Sequence, residues 1–402
     1  MAGERLLYLC SNGIAEPLVE SQVLAYLRRL RPTLSHVRLV TLDRTAIPDD
    51  EAAAIRDRLA GDGIAWTSLR SHPKLGPINP WLSVRRMGRL ARRLHADESY
   101  DLCHARSFLC GLAGDRLRRA TGVPLINDMR GFWIREKRAK GSLRSRWLFD
   151  RLDAREWRLA REANHVVSLT HDAKAEMQAT WGVGTPITVI PCNADLDRFA
   201  TTDAPRDPAA PLRLISVGSL GAGYLPQAVF DAFAAALRID PNATLDVVTR
   251  QPPDSLRAPM TAAGVPTDRV TIRPLPPSDV PAAIAAADVA LCMVAPSDAK
   301  IASFPVKVPE YLACGKPIVS TTACGDVDAI LTGERVGVPI DPNDPSGYEA
   351  AIGQAIALAA EPGFAARARR LAEDRFSADV AAQAYRRVYD ALGSRTGDTG
   401  NP

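Results

Sequence analysis

Short apolar runs alternate with longer stretches of helical periodicity from one end of the chain to the other. Strands and crossover helices of a parallel sheet look like this in sequence, so the alternation sets the fold class as α/β. The first series of runs comprises Arg5 to Ser11, His36 to Leu42, a run near Ile64, Leu102 to Ala105, Leu125 to Asp128, His165 to Leu169 and Ile187 to Pro191. That is one complete doubly wound sheet. A second series follows, at Arg213 to Gly218, Ala243 to Arg250, Val270 to Leu275, Asp288 to Val294, Pro317 to Thr321 and Val336 to Ile340.

At 402 residues the chain is too long for one ordinary core, and the two series read as two Rossmann-like, doubly wound parallel-sheet domains. The stretch LDRFATTDAPRDPAAPL between them is rich in Pro, Ala, Thr and Asp and has no periodicity, as an exposed connection would. The expected division is 1–195, a linker 196–212, a second domain 213–375, a helix 376–393 returning to the first domain, and a disordered tail 394–402. Helical patterns start at Pro345, Phe364 and Ala378.

Cys10, Cys103, Cys110, Cys192, Cys292, Cys314 and Cys324 are odd in number and scattered, with no spacing that suits zinc. They read as buried free thiols in a reducing compartment. The start, MAGERLLYLCSNG, has neither the apolar length of a leader nor a cleavage site, and no run is long enough to span a bilayer. The expectation is a cytoplasmic protein, peripheral on the inner face of a membrane at most. A formal net charge of +4 is mild for this length and points to no nucleic-acid partner.

Lys300 to Asp326 is the strongest constellation. The run DVALCMV ends in a polar loop, and Pro305 opens a helix that Gly315 closes. The positive end of that helix then faces the carboxyl edge of a parallel sheet, where such folds bind ligands and where a phosphate is stabilised. Lys307 adds a full charge, and Glu310, one turn on, suits the hydroxyls of a ribose. Spacing alone equally allows an ordinary amphipathic helix with a solvated Lys–Glu pair.

The segment SFPVKVPEYLACGKPIVS resembles the donor-site segment of glycosyltransferase family 4. SNGIAEPLVESQVLAYLRRL, DLCHARS, DMRGFW, VVSLTHDAK, VIPCNADLDRF and RLISVGSLGAGY resemble the same family in the same order, from about Leu6 to Leu392. The resemblance implies the GT-B fold, two Rossmann-like domains facing each other across a cleft, and retaining transfer of a sugar from a nucleoside diphosphate donor to an acceptor hydroxyl. It implies a donor site of Gly13, Gly218, Ser219, Gly221, Tyr224, Lys300, Ser303, Pro305, Lys307 and Glu310, with Ser21 and Gln22 on the acceptor side. No cofactor or metal is implied beyond the nucleotide-sugar co-substrate.

Two departures stand out. The first of the family's two glutamates is replaced by Ala302, and the usual Arg and Lys after the first strand of the second domain are replaced by the turn Gly218 to Tyr224. Much of the positive charge on a diphosphate is therefore missing. Lys307, Lys300, the helix end and backbone N–H groups of the Gly-rich turn remain to supply it.

In the first domain, His104, Arg106, Asp128 and Arg130 fall at strand ends on the carboxyl edge and are the candidate catalytic residues. Arg106 occupies the place of the second His in the family's His-x-His pair, and it cannot serve as a base, since its guanidinium stays protonated. A lone His at a strand end is often structural. Asp128 either orients or deprotonates an acceptor hydroxyl, and Arg130 either binds an anionic acceptor or pairs with Asp128. Asp195 and Asp197 imitate a DxD metal motif, but a carboxylate pair without further hard ligands is a poor Mg²⁺ site.

Basic residues gather in the first half. Arg85, Arg86, Arg89, Arg92 and Arg93 share one face of a helical pattern opposite Val84, Met87, Leu90, Ala91 and Leu94. A second group, Arg135, Lys137, Arg138, Lys140, Arg144 and Arg146, falls in a loop and helix start. Either is a solvated face or a docking surface for anionic headgroups. The combined expectation is a glycosyltransferase whose acceptor is a saccharide or glycolipid of cell-envelope polysaccharide biosynthesis. The alternatives are a soluble small-molecule acceptor, a non-catalytic sugar-nucleotide binder, and an epimerase on the same architecture.

Overall fold

The computed structural model describes residues 3–71, 79–201, 209–221 and 223–396. The chain forms two compact units, Met1–Pro191 with Ala381–Pro402, and Cys192–Val380.

The first unit is built on β1 (Arg5–Cys10), β2 (His36–Asp43), β3 (Ile64–Arg70), β4 (Leu102–Arg106), β5 (Leu125–Asp128), β6 (His165–Ser168) and β7 (Ile187–Val189). They pair in the order β3-β2-β1-β4-β5-β6-β7, every pair parallel. The second unit has β8 (Arg213–Val217), β9 (Thr244–Val248), β10 (Val270–Arg273), β11 (Val289–Cys292), β12 (Ile318–Thr321) and β13 (Gly337–Ile340), paired β10-β9-β8-β11-β12-β13 and again all parallel. All the strands expected from the apolar runs are present, several trimmed where the run carries on into a loop.

Each sheet reverses its winding once, between β1 and β4 in the first and between β8 and β11 in the second. Neighbouring loops leave in opposite directions at such a point and open a crevice at the carboxyl ends of the strands. Arg106 ends β4 beside β1, and Gly218 follows β8 beside β11.

Central strands are buried on both faces, which is why they read as continuous apolar runs. Leu6, Tyr8, Leu39, Leu102 and Ile126 form the first core, joined by Ala381, Tyr385, Val388, Tyr389 and Leu392 from the final helix. Their spacing puts these five on one helical stripe. Phe230, Phe233, Leu245, Val247 and Leu291 belong to the second core. All seven cysteines are buried, and no disulfide joins any of them. No helix among the described residues is long and apolar enough to cross a membrane.

Four local features differ from the sequence reading. The helix expected from Pro305 spans Lys307–Ala313, because Phe304 is buried against Phe376, 5.3 Å between ring centroids, and holds Ser303 to Pro305 outside the helix. The segment read as a linker from 196 is tied into the second unit at its start: Ala194 N donates to Phe376 O at 2.8 Å, and Arg369 donates to the carbonyl of Phe199. Residues 202–208 lie outside the described residues. The supposed loop after DMRGFW contains the helix Trp133–Ala139. The last helix, Ala378–Thr396, runs past 393, and the rest of the expected tail, 397–402, lies outside the described residues.

Candidate functional site

At the carboxyl edge of the first sheet, four expected residues meet around one carboxylate. Asp128 is fully buried at the end of β5, and its Oδ2 lies 3.3 Å from His104 Nε2, 3.5 Å from Arg106 Nη1 and 3.3 Å from the Tyr385 hydroxyl that donates to it. Arg130 Nη1 donates to Oδ1 at 3.4 Å. Burial alone would raise the carboxyl pKa, yet Arg130, the His104 hydrogen bond and Arg106 outweigh it and hold Asp128 well below the usual carboxylate range.

His104 is also fully buried, and desolvation, helped by Arg106 and Arg130, lowers its pKa despite Asp128. It is neutral. Its Nδ1 stands 2.8 Å from the Tyr389 hydroxyl, so the consistent tautomer donates from Nε2 to Asp128 and accepts from Tyr389 at Nδ1. Arg106 is 3% exposed, while the Arg130 side chain keeps 13%. Of the four, only Arg130 presents appreciable surface.

Backbone strain accompanies this cluster. Ser107, next to Arg106, has φ +83°, rare for a non-glycine residue, and holds the N-cap position of the helix Phe108–Thr121 without a side-chain capping bond. Its N–H donates to Asp128 O at 2.8 Å, and its hydroxyl donates to Ser11 Oγ at 2.8 Å, linking the β4 and β1 exits.

The first loop is fixed from within its own unit. Ile14 N donates to Asp43 Oδ1 at 2.7 Å, and Gly13 N donates to Glu16 Oε1 at 3.1 Å. A Cβ on Gly13 would come within 2.8 Å of Asp43 Oδ1, so close approach to Asp43 accounts for that glycine. Ser21 and Gln22 lie in a π-helical turn, Glu20–Leu24, inserted between the helical pieces Pro17–Val19 and Ala25–Leu30. The Ser21 hydroxyl donates to Pro17 O at 3.2 Å, and Gln22 is fully buried.

In the second unit, Lys307 is the first residue of its helix and is 5% exposed. Its Nζ sits 4.4 Å from the Tyr224 ring centroid and has no hydrogen-bond partner among the described residues. Gly218, with φ +101°, faces it: a Cβ there would lie 3.8 Å from both Cε and Nζ. Burial lowers the Lys307 pKa, with Cys292, Glu310 and Cys324 pulling the other way. Glu310 is partly buried, and desolvation pushes its carboxyl up to about 7 against the pull of Arg198 and Lys307.

The Gly-rich turn is stitched to the neighbouring strand exit. Leu220 N donates to Gln251 Oε1 at 2.7 Å, Gly221 N to Ser219 Oγ at 3.1 Å, and Ala295 N to Gly223 O at 3.1 Å. Ala222 lies outside the described residues. Lys300 opens a short 3₁₀ turn, Lys300–Ala302, and Ser303 N closes it on Lys300 O at 3.0 Å. Pro305 is buried beside them.

Tyr385 and Tyr389 lie outside the sequence motifs, and the closeness of Tyr224 to Lys307 and of Arg198 to Glu310 was not legible in theirs. Only the i, i+4 spacing of Tyr385 and Tyr389 on an apolar stripe was a signal, and it equally describes core packing. Asp195 is partly buried and Asp197 exposed, and among the described residues no three His, Cys, Asp or Glu side chains group as a metal site requires.

The two basic groups separate. Arg85, Arg89, Arg92 and Arg93 are exposed on the helix Asn79–Glu98, whereas Arg86 donates to Arg70 O at 2.9 Å. Arg135 belongs inside: it is boxed by the rings of Phe132, Trp157 and Trp181 and donates to Glu176 at 3.0 Å. Arg144 and Arg146 are exposed beside Trp147, itself 68% exposed.

Residues 19–193 match the family model described as a glycosyl transferase 4-like domain, and 212–357 match glycosyl transferases group 1. A D-inositol 3-phosphate glycosyltransferase of Nocardiopsis dassonvillei is 27% identical over 288 residues, 67% of this chain and 65% of that protein. One from an Arthrobacter species is 29% identical over 260 residues, 60% of this chain and 59% of its own length. The matched region thus spans less than two thirds of these curated relatives. Among solved structures, sucrose-phosphate synthase from Thermosynechococcus elongatus has a TM-score of 0.73 at 17% identity, covering 97% of this chain and 100% of that one. HepE from Anabaena, in complex with UDP and glucose, has 0.69 at 17% identity, covering 96% and 100%. At such identities these two likenesses establish the fold.

Proposed function

We propose that this chain, which belongs to glycosyltransferase family 4 and has the GT-B fold, transfers a sugar from a nucleoside diphosphate sugar to an acceptor hydroxyl. The carrying observation is the Lys307 ammonium: buried, without a hydrogen-bond partner among the described residues, and set against Gly218 at the switch point of the second sheet. An unpaired buried cation costs several kcal/mol, roughly, and an anionic ligand offsets that cost. The diphosphate of the donor is the ligand we assign to it, with Glu310 accepting from the ribose hydroxyls. Gly221 and Ser219 line the phosphate side, and the reading gives no role to a metal.

As the sugar–phosphate bond breaks, negative charge grows on the departing diphosphate, and a fixed cation in a dry site stabilises it. We take retention from the family, with the leaving phosphate accepting the acceptor's proton. The enclosure of Asp128 supports this route, since a fully buried carboxylate already engaged by His104, Arg106, Arg130 and Tyr385 is a weak base toward an external hydroxyl. In this reading Asp128 and His104 are positioning residues for Arg106 and Arg130. Arg130, the more exposed, meets an anionic acceptor, a phosphorylated polyol or lipid-linked saccharide, the former in keeping with its similarity to D-inositol 3-phosphate glycosyltransferases. Exposed Trp147 among basic residues favours a lipid-linked acceptor and work at an anionic membrane surface.

A screen of nucleoside diphosphate sugars by thermal stabilisation identifies the donor, since a ligand of the native state raises the melting temperature. Transfer by wild type, Lys307→Ala and Glu310→Ala then tests the assignment. Unchanged transfer in both variants would defeat it, and conversion of the nucleotide sugar to an epimer without acceptor would defeat the transferase reading itself.

A further inference from the structure

Away from the residues assigned above, the helices Phe108–Thr121 and Arg146–Glu162 leave a cavity of about 220 Å³ between them. Leu112 and Leu159 contribute apolar wall, and its polar lining has four guanidiniums, Arg116, Arg119, Arg155 and Arg158, against two carboxylates. Both carboxylates are already committed. Asp115 accepts from Arg118 at 2.8 Å and from Arg119 at 2.8 Å, and Glu162 accepts from Arg119 at 2.5 Å.

Arg116, Arg155 and Arg158 have neither an ion pair nor a hydrogen bond among the described residues. Arg116 is the centre of the group. Its Nη1 is buried and unbonded, and its stem packs over Gly88 of the neighbouring helix, where a Cβ would stand 3.3 Å from Arg116 Cδ. Burial, then Arg155 and Arg85, and more weakly Arg92, pull its pKa down, with Asp115 opposing. Three guanidiniums without a hydrogen bond or ion pair among the described residues, from two helices, thus line one cavity whose two carboxylates are held by Arg118 and Arg119. Such forks match phosphate oxygens, which accept two parallel N–H bonds each time.

We infer that this cavity binds a phosphate or phosphomonoester group at a site separate from sugar transfer. Separation follows from the topology. The helix Phe108–Thr121 starts at the carboxyl edge beside Arg106 and runs back along the sheet, so Arg116, nine residues after Ser107, lies about 13 Å along it. The phosphate comes either from a free anion or from a lipid headgroup.

The full chain is melted with increasing inorganic phosphate, and its binding to phosphatidylcholine vesicles is measured with and without phosphatidic acid. Wild type is compared with Arg116→Gln/Arg155→Gln, with Lys307→Ala, and with Arg89→Gln as an exposed arginine outside the cavity. Saturable stabilisation by phosphate, lost in the double variant and kept in Lys307→Ala, assigns a free anion. Binding to phosphatidic acid vesicles alone, weakened at least about tenfold by the double variant and less than about twofold by Arg89→Gln, assigns a headgroup. Without anion at low salt, the double variant melts no lower than wild type, because it relieves repulsion. If neither probe binds, or either binds the double variant as well as wild type, the inference fails.

Discussion

The Lys307 ammonium stands 4.4 Å from the Tyr224 ring centroid, and that aromatic face is the favourable contact the fold gives it before ligand arrives. A cation–π contact contributes roughly 0.5–2 kcal/mol, less than the several kcal/mol an unpaired buried charge costs. The site therefore holds an electrostatic deficit, which the diphosphate proposed above would relieve.

Lys307→Met should make that deficit visible. Removing the charge while keeping the stem is expected to stabilise the ligand-free protein by about 1–3 kcal/mol and to abolish stabilisation by the preferred nucleoside diphosphate. Sugar transfer should fall by at least about 10²-fold. Thermal melts with and without nucleotide, and a transfer assay, check all three.

Glu310 carries a pH signature. Its carboxyl, pushed up to about 7, binds a proton more tightly folded than unfolded, so its contribution to stability is present below the ordinary pKa and lost as pH rises through 7. Ribose hydroxyls need the ionised form as acceptor, so donor affinity should rise over the same interval. Glu310→Gln should flatten that rise, measured by calorimetry from pH 6 to 8.

Glu156, which is assigned no part in the chemistry, offers a control. Buried at 1% exposure, it accepts from the N–H groups of Trp133 at 3.0 Å and Ile134 at 3.2 Å, and desolvation pushes it up to about 8. Its contribution is lost as pH rises through 8. Glu156→Gln gives up about 1 kcal/mol of hydrogen bonding in acid. Above pH 8 it should become the more stable protein, so the two melting curves cross.

Asp128 behaves with the opposite sign. Its pKa is depressed, so it stabilises the fold above the ordinary carboxylate range, and that stability is lost in acid as pH falls toward the folded value. Asp128→Asn leaves buried Arg106 without its counter-charge and should cost about 3–5 kcal/mol at pH 7, with a shallower acid limb in denaturant titrations.

Trp147 tests membrane docking. Trp147→Ser should weaken binding to anionic vesicles about tenfold, as loss of an interfacial ring anchor implies. Arg144→Gln and Arg146→Gln should each remove about 1 kcal/mol in a salt-sensitive manner. Cosedimentation that ignores both lipid charge and these changes would exclude the surface.

Secondary structure and sheet composition were legible because fully buried parallel strands must be apolar throughout, as in LLYLC or VALC, and crossover helices must show a helical period. The positions of Arg106, Asp128, Lys307 and Glu310 on carboxyl edges followed from the same pattern. Their environments did not. Nothing in DLCHARS says that His104 is sealed, and nothing in VKVPEYLA says that Lys307 lacks an acceptor. Arg135 reads as one of a basic group, yet an aromatic box encloses it.

The sequence by itself determined the two parallel-sheet domains, the strand ends that carry polar residues, and the family to which the chain belongs. These depend on local period and on the order of motifs along the chain. Only the tertiary structure decided protonation, burial and pairing, because those depend on groups distant in sequence: Tyr385 and Tyr389 closing over Asp128 and His104, and Arg155 and Arg85 crowding Arg116. Charge is a property of residue type, but its energy belongs to the surroundings the fold supplies.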